Sequence, residues 1–187
     1  MTFSKLIARL LAFGPPVIVP NTRVPNHCVL ATAVALDVLR LCDEEAEPLA
    51  CRVVVANAHA SRAVERGVSV VVAIATGGHV LDTGAASTVD GMWWRGHLMA
   101  YLPQRRRLLD LNHSALSRPA HGLEMEPAVC LPFWPPDGMY RTRTGERLEV
   151  VARPDDLAWR AAPDWTEASR RRAMVAQLLR AVKTGRL

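Results

Sequence analysis

Apolar positions near the start of the chain recur at helical spacing: Phe3, Leu6, Ile7, Leu10, Leu11 and Phe13, with Lys5 and Arg9 between them. The pattern predicts a packing helix, and Gly14-Pro15-Pro16 supplies its stop signal. Val17 to Pro25 reads as an extended, proline-bounded connector. Val29 to Leu39 is a long apolar-periodic run, so a second helix is expected to start at Pro25-Asn26-His27-Cys28 and reach about Cys42. An acidic, proline-terminated stretch follows, and Leu49 to Asn57, with Arg52-Val53-Val54-Val55, then predicts a buried strand. His59 to Arg66 reads as a short helix closed by Gly67. Val68 to Ala75 is another apolar β-branched run, with Gly77-Gly78 turning the chain into a returning strand at His79 to Asp82. Trp93 to Leu102 and Arg107 to Leu111 predict two strands joined around Pro103-Gln104-Arg105-Arg106. Further strands are expected near Ala128 to Leu131 and at Glu146 to Ala152. Thr166 to Lys183 is an amphipathic helix with Met174, Leu178 and Val182 on one side.

Composition narrows this picture only slightly. The 187 residues are half apolar and 22% charged, which suits one domain with its own core. Neither a repeat nor a domain boundary is visible, so 1–187 reads as a single domain in which 166–187 is the candidate appendage. The net charge of +5 is localised. Thr166 to Leu187 carries Arg170, Arg171, Arg172, Arg180, Lys183 and Arg186 against Glu167, so the remaining residues sum to zero. That basic helix could meet an acidic partner or nucleic acid, but no aromatics are interleaved with its arginines, and a solvated face explains it better. The four cysteines Cys28, Cys42, Cys51 and Cys130 form no C-x-x-C pair, which points to reduced thiols and a cytoplasmic setting. The first helix is too short and too interrupted by charge to span a bilayer, and it carries no cleavage site of a signal peptide, so no membrane is expected.

The chemistry concentrates in two stretches. With Asn26 as the helix cap, Cys28 falls in the first turn, where backbone N–H groups lack intrahelical partners and the dipole favours an anionic sulfur. Taken alone, Cys28 reads rather as a small buried hydrophobe, as most free cysteines are. The second stretch is Gly96-His97-Leu98-Met99-Ala100-Tyr101-Leu102-Pro103, followed by Leu109-Asp110-Leu111-Asn112. A hairpin turning about the Pro103–Gln104 bond would set His97 directly opposite Asp110, on one face, with Cβ atoms roughly 4.5–5.5 Å apart. A carboxylate there would fix the imidazole tautomer and stabilise its protonated form. Cysteine, histidine and aspartate could then form a nucleophilic triad. The backbone N–H of Cys28, Asn26 or Asn21 are the candidate oxyanion donors, with Asn26 also a plain cap. Trp93 and Trp94 would pack the sheet, or Trp94 would wall the cleft. His27 points away from Cys28 as surface or pocket lining. His79 with Asp82, and His113 with His121, match no zinc-ligand spacing, so neither metal nor cofactor is implied.

These segments resemble the transglutaminase-like core, in which a Gly-His opens a strand, an aspartate follows on the neighbouring strand, and the nucleophile opens a helix rich in Ala, Leu and Val with a strand after it. The resemblance covers roughly Asn26 to Asn112. It implies an α+β, papain-like fold in which the catalytic helix packs on an antiparallel sheet, here with the amphipathic helix at the C-terminus. It also implies Cys28 as nucleophile, His97 as base and acid, and Asp110 as orienter. The expected activity is cysteine-dependent acyl transfer, with hydrolysis of a peptide or protein amide as the default. Two alternatives stay open: a binding or regulatory module that keeps the fold without chemistry, and an N-acyltransferase using the same three residues. The sequence does not give the oligomeric state.

Overall fold

The computed structural model of the protein describes residues 1–21, 27–84 and 96–187. Its centre is a helix, α2 (Cys28–Arg40), in which 11 of 13 residues are buried. Such a helix is stable only when covered on every side. Two further helices, α1 (Phe3–Ile18) and α6 (Ala168–Thr184), the latter preceded by the one-turn helix α5 (Pro163–Thr166), cover one flank. Leu6, Leu10, Met174, Leu178 and Val182 meet Leu30, Val34 and Val38 of α2 in one cluster. The basic C-terminal helix is therefore part of the main core. Arg9 fastens the pair by donating to the Val182 and Lys183 carbonyls at 2.6 and 3.1 Å.

The other flank of α2 lies on a seven-stranded, wholly antiparallel sheet. Its strands are β1 (Glu47–Ala56), β2 (Val80–Asp82), β3 (His97–Leu102), β4 (Arg107–Asp110), β5 (Val129–Pro132), β6 (Asp137–Arg141) and β7 (Arg147–Ala152). The spatial order is β5-β4-β3-β1-β7-β6, with β2 continuing the line of β3 along β1. The sheet curls until it is nearly closed, and the Tyr140 hydroxyl of β6 donates to the Pro132 carbonyl of β5 across the gap. Period-two alternation then gives each strand an outer and an inner face. Ala100, Leu102 and Leu109 face the helices, while Val53, Val55, Met99, Leu108, Phe133, Leu148 and Val150 fill the inside of the curl. The fold is thus α+β, with an antiparallel sheet and helices, as the residue pattern suggests.

Several elements depart from expectation. Helix α1 does not stop at Gly14-Pro15-Pro16 but continues to Ile18, and Val19 donates to the Pro15 carbonyl. Gly14 makes this tolerable, because the clash a proline imposes on the preceding residue's Cβ is absent. It also lies where a Cβ would sit 2.9 Å from Leu111 Cδ1. Burial of Val17 and Ile18 rewards the extra turn. The anticipated extended connector is accordingly the end of α1 and a 3₁₀ turn at Val19–Asn21, and 22–26 lie outside the described residues. The β-branched run at 68–75 is helical: α4 (Val70–Ala75) is capped by Ser69 and follows the short helix α3 (Ala58–Glu65). Only Ala73 of α4 is buried, while Val71 is 77% exposed, so the run never supplies a core strand. Strand β6 was not legible, its Asp-Gly-Met-Tyr-Arg carrying almost no apolar signal.

Candidate active site

Cys28 is the first residue of α2, one position after the N-cap, which is His27 and not Asn26. His27 contributes no side-chain cap; the first intrahelical bond runs from Ala31 N–H to its carbonyl. The Cys28 N–H therefore lies in the turn whose donors no helical carbonyl can satisfy. Its sulfur is held at the start of β3, with Sγ 3.9 Å from the Gly96 carbonyl oxygen. Thr32, one turn on, donates to the Leu98 carbonyl at 2.7 Å and locks the helix onto the same strand.

His97 opens β3 with its side chain on the inner face, and Asp110 ends β4 on that face. The observed register pairs Ala100 with Leu109, so by extension Met99 faces Asp110 and His97 faces Asn112. The loop is longer than a two-residue hairpin: a 3₁₀ turn at Pro103–Arg105 and a left-handed Arg106 at φ 51°. This moves the pairing by two residues, which keeps both side chains on one face and makes them diagonal neighbours. The expected direct opposition is corrected, yet His97 Nε2 lies 2.7 Å from Asp110 Oδ2. Both side chains are almost fully buried, His97 at 3% and Asp110 at 2% exposure.

The carboxylate is saturated. Oδ2 also receives His113 Nδ1 at 3.1 Å, and Oδ1 accepts the Asn112 N–H at 2.9 Å. Burial works against the charge on Asp110, but the His97 charge and the hydrogen bonds from His113 and His97 hold its carboxyl well below the usual carboxylate range. Burial likewise works against a charge on His97. The Asp110 charge and hydrogen bond, with smaller contributions from Cys28, overcome this and raise the imidazole to about 10. The pair is thus an imidazolium–carboxylate couple at neutral pH, and Nε2 is committed to Asp110. Nδ1 is the ring nitrogen left for the sulfur.

No family model, curated protein or solved structure matches the chain. The chemistry must therefore be argued from this geometry. Cys28, His97, Gly96 and Asn112 line one cavity of about 310 Å³ together with Leu81, Asp82, Thr83, Gly84, Ala115, Leu116 and Arg118. A sulfur and a charged imidazole on such a cavity, with a pinned carboxylate behind the ring, can attack an acyl carbon and pass a proton to its leaving group. The three residues singled out in the sequence are brought together. Asn26 and Trp94, expected as oxyanion or pocket residues, lie outside the described residues, as does Trp93.

Three neighbours escaped sequence reasoning. Cys51 of β1 sits directly opposite His97. Burial foremost, and then Asp110, push its thiol well above the ordinary value, so Cys51 is no rival nucleophile. His113 was weighed only as a metal ligand with His121, whereas its ring braces Asp110. His121 instead stacks on His79, ring centroids 4.1 Å apart. Asn112 contributes a backbone donor to Asp110 and a side chain to the cavity lining. The Asp110/His113 spacing of three residues was a readable signal, but only for a chain that turns tightly after the strand.

Among the described residues, no helix is long and apolar enough to cross a membrane.

Proposed function

We propose that the chain is a cysteine-dependent acyl-transfer enzyme of transglutaminase-like, papain-like type that hydrolyses an amide or peptide bond. The observation that carries this reading is the buried 2.7 Å His97–Asp110 pair, with His97 on one cavity with a cysteine that opens a helix. The Cys28 sulfur attacks the amide carbonyl carbon, forming the S–C bond as the C=O π pair moves onto oxygen. The N–H of Cys28 is the nearest backbone donor for that oxyanion. His97 passes its Nδ1 proton to the departing amine as the C–N bond breaks. Water then attacks the thioester, giving its proton back to His97; the acid product leaves and the sulfur is restored. Asp110 keeps Nε2–H in place throughout, so the ring always presents Nδ1 to the reacting atoms. An amine in place of water would make the same centre a transferase.

Alkylation by iodoacetamide at about pH 6, where ordinary thiols are protonated, tests the proposal. Cys28 should label ahead of Cys42, Cys51 and Cys130, and Cys28→Ala should remove that label. Uniformly slow labelling would instead favour a binding module that keeps the fold without chemistry. An acidic partner at α6 remains a proposal of its own. Arg171 is already committed to Asp37 at 2.8 Å and to the Trp165 carbonyl, so such a partner would engage Arg172, Arg180 and Lys183. Polyanion binding that modest salt abolishes would support it; no binding at low salt would end it.

A further inference from the structure

The cavity beside Cys28 carries charge that the triad does not use. Its lining contains one acid and one base outside the triad, Asp82 and Arg118. Asp82 is spoken for: Arg52 grips both its oxygens, at 3.1 Å from Nε and 2.6 Å from Nη2, and the Gly84 N–H donates to it as well. Arg118 is different. Its Nη1 donates to the Ala115 and Ser117 carbonyls at 2.9 and 2.6 Å, which fixes the guanidinium without neutralising it. Among the described residues no carboxylate lies within ion-pair distance of it. Its charge reaches across to His79, where, behind burial and His121, it helps hold the imidazole in its neutral form.

A second observation points independently to a ligand. Asn112 lines the same cavity and is almost wholly buried, and its Nδ2, which no solvent reaches, has no hydrogen-bond partner among the described residues. A buried amide N–H₂ left unpaired is destabilising unless an acceptor arrives. One pinned, uncompensated guanidinium on the cavity, with an unpartnered amide donor buried in a lining residue, suits an acceptor-rich, negatively charged guest.

We propose that the substrate read by this cavity carries a carboxylate close to the scissile amide, held by Arg118, with the unpartnered Asn112 amide turning to a neighbouring acceptor when the guest binds. This rests on Cys28 being the nucleophile and names the substrate class of that site: an acidic acyl group rather than a neutral or basic one. Arg118 suits the task because a guanidinium presents two parallel donors to a carboxylate.

The test compares two alkylating reagents of one size on the full chain, iodoacetate and iodoacetamide. Each forms the same S–C bond at Cys28 and expels iodide, but only iodoacetate carries a carboxylate. The ratio of their rates cancels any change in the sulfur's own reactivity. The rates are read from the Cys28 peptide by mass spectrometry, against N-acetylcysteinamide as a free thiol. In the native chain the iodoacetate-to-iodoacetamide ratio should exceed that of the free thiol. Arg118→Gln should lower it roughly threefold to fivefold, the range of one partly solvated charge contact, and Arg118→Lys should largely keep it. A ratio equal to the free thiol's, or one that Arg118→Gln leaves unchanged, overturns the proposal. A second readout needs no reactive sulfur: glutarate should raise the melting temperature of the native chain and of Arg118→Lys, but not of Arg118→Gln. Equal shifts in all three would overturn it as well. Failure of iodoacetamide to prefer Cys28 would sink the nucleophile, whereas preserved labelling with no charge preference would sink only the acidic substrate.

Discussion

Replacing Asp110 with asparagine alters the site by one atom, and the structure says why it cannot be mild. The two carboxylate oxygens accept three N–H groups, from His97 Nε2, His113 Nδ1 and the Asn112 backbone. An asparagine has one acceptor oxygen and one N–H₂. Whichever way it points, a donor faces a donor, unless His97 and His113 both give up the proton they direct at it. Removing one partner from a buried, hydrogen-bonded ion pair costs about 3–5 kcal/mol, because the other charge stays buried without compensation. That is a large share of the ~5–15 kcal/mol holding a domain together. Urea unfolding at pH 7, followed by tryptophan fluorescence at an unchanged slope, gives the number. The same protein, labelled with iodoacetamide at about pH 6, should lose about a hundredfold in rate at Cys28, since an imidazole that has surrendered its charge no longer assists the sulfur. An Asp110→Asn chain within ~1 kcal/mol of the native one would refute the buried ion pair, and unchanged labelling would refute its coupling to Cys28.

Stability against pH should carry the signature of the same pair. His97 sits at about 10, above its ordinary ~6.5, so its contribution is complete below ~6.5 and is lost as pH rises towards 10. Asp110 is held low, so its contribution is present above ~4 and is lost in stronger acid. Unfolding free energy should therefore fall between pH 7 and 10 in the native chain and fall less in Asp110→Asn; parallel curves would contradict the assignment. Cys51 should resist iodoacetamide up to about pH 9 in the folded chain, its thiol being buried and pushed up; labelling at the rate of Cys42 would show the wall to be open. Leu178→Ala should destabilise by about 2–5 kcal/mol in urea, as for any fully buried leucine; a loss under ~1 kcal/mol would mean α6 is only loosely attached. Gly14→Val should cost about 1–3 kcal/mol, because its Cβ would meet Leu111 Cδ1 at 2.9 Å and the proline clash would return; a neutral effect would mean that α1 can shift.

The clustering of Cys28, His97 and Asp110 was legible because its signals are local or depend only on parity. A helix start places Cys28 whatever the chain does elsewhere. Strand alternation keeps His97 and Asp110 on one face through any even change of register, which is why a misjudged loop did no harm. What escaped depends on chain-distant pairing or on exposure. Cys51 meets His97 only through the β1–β3 ladder. Near-closure of the sheet depends on β6, whose side chains carry no apolar rhythm. The valines of α4 look like a core strand until their exposure is seen, because branching at Cβ is a weak preference that one serine cap and a short span override. The prolines of α1 looked terminal because the rule against them ignores the Cβ-free Gly14 before Pro15 and the burial of Val17 and Ile18 beyond.

Being sunk in the core on nearly all sides, α2 makes the Cys28 sulfur as immovable as any leucine beneath it. A guest cannot draw that atom toward itself; accommodation must come from the rest of the lining, Leu81 to Gly84 and Ala115 to Arg118. Those residues sit on a three-residue strand and around a 3₁₀ turn, outside the cluster that packs on the helix. Under the proposed function, much of what selects a guest is thereby carried by chain outside the buried helix, so a lineage could change what it accepts with α2 untouched.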